Sequence, residues 1–108
     1  MKPFKFFQKE IRKFTEYEEM VLNILNYCRN NAINHVGYSY PFQIMTLEGL
    51  KHKRIVMGST IRHYNRFPLR CTLVIEYDLH IEHDDGEDTV IRSTFGINED
   101  EFERLMDR

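Results

Sequence analysis

Cysteine, glycine and proline are scarce in this sequence, at two, five and three residues of 108. Two cysteines cannot staple a small secreted scaffold. Cys28 falls among the apolar positions of a predicted helix and Cys71 on the apolar face of a predicted strand, so buried free thiols in a reducing compartment are expected rather than a bridge. No secretory signal and no Asn-x-Ser/Thr sequon occur, and no apolar run approaches the ~20 residues that span a bilayer. A soluble, cytoplasmic protein with no membrane attachment is the expectation. With glycine and proline scattered, there is no linker, repeat or low-complexity tract, so residues 1–108 are expected to form one domain.

Catalytic signatures are missing as well. The sequence has no Gly-x-Ser-x-Gly, no phosphate-cradling glycine loop, no His-Glu-x-x-His and no Cys-x-x-Cys. The only serine hydroxyls are those of Ser39, Ser59 and Ser93. No catalytic residue, cofactor or metal is assigned, and the chain is read as a non-enzymatic binding protein. Asp78, His80 and Glu82 recur on one predicted strand face, but same-face neighbours stand ~6.6 Å apart and three in line cannot share an ion without help from elsewhere.

What the chain does have is charge sorted into blocks. Residues 1–13 carry Lys2, Lys5, Lys9, Arg12 and Lys13 against Glu10 alone. Residues 49–75 carry Lys51, Lys53, Arg54, Arg62, Arg66 and Arg70 and no acid, whereas residues 76–108 hold twelve acids against three arginines. The net charge of −2 therefore conceals strong local fields, which speak to partners and steering.

Phe4, Phe7, Ile11 and Phe14 recur at helical spacing, which predicts a short amphipathic N-terminal helix over residues 1–13 that can lie peripheral to the domain. Thr15-Glu-Tyr-Glu18 is a capping box opening a helix predicted to run to about Asn34, with Tyr17, Met20, Val21, Ile24, Leu25, Cys28 and Ala32 on one stripe. The period then switches to two. Tyr38 to Ile44 alternate, as do Ile55, Met57 and Ile61, and Leu69 to Ile81 place seven apolar residues on consecutive odd positions. Asp84-Asp85-Gly86 turns the chain into a last strand over Thr89–Phe95, where an Ile81–Ile91 pairing demands an odd-length loop around Gly86. For the preceding hairpin an odd loop or a bulge is expected, setting Ile61 against Cys71 in the core. Asn98 and Glu101 form a second capping box, and Ile97 can staple to Phe102. The predicted fold class is α+β, a four-stranded antiparallel β-meander packed against helices in the order α-α-β-β-β-β-α.

Two partner classes suit these blocks. The preferred one is a basic, nucleic-acid-handling protein engaged by an acidic surface of Glu76, Asp78, Glu82, Asp84, Asp85, Glu87 and Asp88, joined by the Glu99–Glu103 helix start, since rows of carboxylates can occupy a groove built for phosphates. Small inhibitors and adaptors encoded by phages and mobile elements are often α+β domains of this size, an analogy of class and not of family. The alternative is direct binding of single-stranded nucleic acid or RNA through Lys51, Lys53, Arg54, Arg62, Arg66 and Arg70, with Tyr64 and Phe67 to stack on bases. The slightly acidic pI of about 6.2 weighs against it. A homodimer joining the basic block of one copy to the acidic block of another is a further possibility.

Overall fold

Thr15 opens the first helix as its sequence asks: its hydroxyl accepts from the Glu18 amide at 3.2 Å while the Glu18 carboxylate accepts from the Thr15 amide at 3.0 Å. In the computed structural model, which describes residues 13–106, this helix is α1, Glu16–Asn30. Strands β1 (Ser39–Thr46), β2 (Gly49–Arg66), β3 (Leu69–Glu82) and β4 (Asp88–Asn98) follow, and α2 (Glu99–Met106) closes the chain. The strands form one antiparallel sheet in the order β1-β2-β3-β4, so the α+β meander stands. The expected N-terminal amphipathic helix with Phe4, Phe7 and Ile11, the first of the predicted order, lies outside the described residues.

Both helices pack on one face of the sheet. Val21, Leu22, Ile24, Leu25 and Cys28 of α1 meet Ile55, Met57, Leu73, Ile75, Tyr77 and Leu79, with Phe95, Ile97 and Met106 closing the core. Val21, Ile55 and Ile75 are fully inaccessible. The opposite face presents Arg54, Val56, Val74, Glu76, Asp78, His80 and Arg92, none of them buried.

Four expectations need correction. Helix α1 ends at Asn30, four residues early, because Ala32 adopts φ 55° and the Ile33 amide bonds back to the Cys28 carbonyl at 2.9 Å. That closure, with Ala32 N–H on the Arg29 carbonyl at 3.4 Å, is a Schellman cap built on alanine, a residue not usually found there. The last strand runs on to Asn98 and buries Ile97. Its five-residue loop is odd and holds Gly86 at φ 85°, but the register differs by two: Leu79 faces Ile91 and Ile81 faces Thr89. Finally, Ile61 pairs with Val74 on the uncovered face, and Tyr64 rather than Ile61 sits opposite Cys71.

The cause of the last difference is a bulge between Met57 and Thr60. Gly58 makes it possible, since a Cβ there would stand 3.0 Å from the Cβ of Glu76 and 3.1 Å from its carbonyl oxygen. Ser59 is the extra residue, and it exchanges the two faces of β2 beyond it. Arg62, Tyr64 and Arg66 consequently turn to the helix side while Ile61 turns away.

Candidate functional site

Because β2 has eighteen residues and the helices cover only part of the sheet, the β2–β3 hairpin runs on past the body as an arm. Residues 61–70 are all exposed. Such a two-stranded ribbon has no core of its own and gains little stability from its length. It nevertheless carries Tyr64, Phe67 and Leu69 at 67%, 89% and 83% exposure, together with Arg62, His63, Arg66 and Arg70 and no acid. Aromatic and arginine side chains left in water together are the composition of contact surfaces.

The root of the arm is anchored electrostatically. Arg62 donates to Glu99 at 2.8 Å, and this hydrogen bond, reinforced by the charge, pushes the guanidinium pKa above its ordinary value. Arg29 grips Glu103 through two bonds of 2.9 Å, which hold that carboxyl below its usual range. Beside Arg62, burial and the Glu99 carboxylate push the Cys71 thiol up. Farther out, Arg66 and Arg70 form no ion pair with any described residue.

The remaining basic candidates lie elsewhere. Lys51, Lys53 and Arg54 sit near the other end of β2, where Lys53 donates to the Tyr17 hydroxyl at 2.8 Å and lies over its ring. Arg54 approaches His80 within 3.3 Å, and Lys51 stands 3.9 Å from Glu48. The 51–70 block is thus divided between two ends of the sheet.

The acidic candidates are divided too. Glu76, Asp78 and Glu82 do share the uncovered face, as their alternation requires, but Ser59 donates to Glu76 at 3.3 Å and Arg92 to Asp78 at 3.2 Å. Glu99 and Glu103 belong to the arm's root on the helix side, so they do not extend this row. A compact anionic group does form at the β3–β4 turn, where Glu82, directly opposite Asp88, flanks Asp84, Asp85 and Glu87. None of these five makes an ion pair among the described residues. The turn and the arm tip lie at opposite ends of β3, whose fourteen residues span roughly 45 Å in a molecule 54 Å long.

Asp78, His80 and Glu82 form no metal-binding group, and no other is found among the described residues. No described helix is long and apolar enough to cross a membrane. A groove of about 560 Å³ is lined by Tyr40, Pro41 and Phe42 together with Arg54, Glu82 and Asp88, apolar groups beside charges of both signs.

His35, which carried no role in the sequence reading, packs where the arm leaves the body. Its Nε2 is 3.3 Å from the Thr60 hydroxyl, and burial lowers its pKa from the ordinary 6.5. The folded state therefore holds a neutral imidazole that the unfolded chain protonates near 6.5. Its contribution is complete above that value and is lost as pH falls below it. Melting curves from pH 7.5 to 5 are expected to show a smaller fall in stability for His35→Gln than for the wild type; equal falls would remove His35 as the cause.

Comparison with known proteins found no matching family model, no similar curated protein and no similar solved structure.

Proposed function

We propose that this chain is a non-enzymatic binding protein that holds single-stranded nucleic acid or RNA on the β2–β3 arm. The observation that carries the reading is the separation of the arm from the acidic turn. Charges ~45 Å apart are screened from one another at physiological salt, where the Debye length is about 8 Å. A ligand at the tip therefore meets the local field of Arg66 and Arg70, the charge of Arg62 being engaged by Glu99 at the root, whatever the pI of the whole chain. Guanidinium groups suit phosphates, and the exposed Phe67 and Tyr64 rings suit unpaired bases, which every sequence offers.

Fluorescence anisotropy with a labelled single strand tests this. Two phosphate contacts, from Arg66 and Arg70, give a log–log salt slope of about −1.4, so affinity is expected to fall about sevenfold between 50 and 200 mM salt. Absence of binding at low salt, or binding indifferent to salt, contradicts the proposal.

A basic protein partner at the acidic turn is the second reading, favoured by the five carboxylates without an ion pair. Replacing Asp84, Asp85 and Glu87 with lysine should abolish capture of such a partner and leave oligonucleotide affinity undiminished. Retained capture would discard that reading.

A further inference from the structure

The two edge strands of the sheet, β1 and β4, are not alike. Where the chain enters β1, the Met57 amide of β2 donates to the Tyr38 carbonyl at 2.9 Å, so even-numbered β1 residues bond β2 and Ser39, Pro41, Gln43 and Met45 turn their backbones outward. Pro41 has no N–H to offer, which blunts that edge against another strand. In the β3–β4 ladder the His83 amide donates to the Glu87 carbonyl at 3.0 Å, and the register continues without interruption from Glu82↔Asp88 to Thr72↔Asn98. Odd-numbered β4 residues therefore bond β3, and Asp88, Val90, Arg92 and Thr94 direct N–H and C=O groups away from the sheet. This edge has neither proline nor lysine. Val90 and Ile91 are 52% and 45% exposed on it.

We propose that a second copy of this chain pairs with the β4 edge, antiparallel, over Asp88–Arg92 about a two-fold axis through Val90. In that register Asp88 faces Arg92 of the second copy, Arg92 faces its Asp88, and Thr89 faces its Ile91. All the outward-pointing backbone groups of the segment then find partners. A shift of two residues in either direction sets one of the charges opposite Val90, and a shift of four sets Arg92 against Arg92. Charge complementarity thus selects one self-complementary register, as a two-fold interface requires. It also relieves a conflict within each chain. Glu82 and Asp88 face each other at a non-hydrogen-bonded position, where side chains are closest and like charges destabilise. Arg92 of the second copy brings a cation to that pair, while its own Asp78, 3.2 Å away, holds it on the same face of the sheet.

Light scattering over a roughly hundredfold range of protein concentration tests this by mass action. The wild type is expected to rise from 13.1 kDa towards twice that mass. Val90→Pro should remain at 13.1 kDa with an unchanged circular-dichroism spectrum, because its N–H points away from β3 and bonds no described residue. Should that variant fail to fold, charge exchange decides. Arg92→Asp is expected to weaken dimerisation by roughly tenfold, and adding Asp88→Arg to restore it. A monomer at every concentration, a dimeric Val90→Pro, or an unrestored double variant overturns the proposal. So does loss of the dimer on replacing Arg66 and Arg70 with glutamate, which would point instead to joining of the basic and acidic ends.

Discussion

Reversing Arg66 and Arg70 together to glutamate is expected to weaken oligonucleotide binding by at least about 30-fold at low salt. A unit charge pair at contact distance is worth about 1 kcal/mol in water, so each reversal replaces that attraction with an equal repulsion. Two reversals amount to about 4 kcal/mol before screening, and half of that already corresponds to about 30-fold. The side chains are exposed at the arm's end, so the melting temperature should hardly change. The same double reversal at Lys51 and Arg54, at the far end of β2, is expected to leave affinity within about threefold, since those charges lie several Debye lengths away. Equal losses from both pairs would mean that the basic residues act as one surface, which the register does not permit for this arm.

The second large effect concerns the core. Ile75→Ala is expected to lower stability by about 3 to 4 kcal/mol, because a fully buried isoleucine loses its transfer energy and leaves a cavity. Ile75 is fully inaccessible and lies between Thr60 and Phe95 in neighbouring strands. In a domain of this size each kcal/mol moves the melting temperature by about 4 to 8 °C, so a fall of at least about 12 °C is expected. Ile61→Ala should cost no more than about 1 kcal/mol, since its side chain is 51% exposed on the uncovered face. The contrast tests the bulge directly. With Ile61 in the core beside Cys71, the two substitutions would cost similar amounts.

The difference between these two isoleucines marks where sequence patterning stops. The capping box at Thr15, the seven-position alternation of β3 and the turn at Gly86 were legible because each depends on contacts a few residues apart. The bulge at Gly58 and Ser59 was not. It rests on the missing side chain of Gly58, where a Cβ would stand 3.0 Å from that of Glu76 eighteen residues away, and nothing in the local composition marks it. A single extra residue there inverted the expected faces of Ile61 and Arg62. The early end of α1 escaped for a similar reason, since alanine at positive φ is stabilised by the Ile33–Cys28 bond and not by its own preference.

The candidate site was legible in kind and not in arrangement. The charge blocks are evident from composition, but where each charge lands depends on strand direction. Antiparallel pairing carries Lys51 and Arg66 to opposite ends of one strand and folds Glu99 back onto Arg62, so that neither the basic nor the acidic residues gather on one surface. The arm emerges only when the length of β2 is set against the extent of the helices above it.

Amide shift mapping of the isotopically labelled protein, titrated with a short single strand at low salt, tests the central claim most directly. Perturbations confined to residues 61–72, largest around Tyr64 to Arg70, are the expected result. Perturbations centred on residues 82–88 or 51–54, or none along the arm, would contradict it.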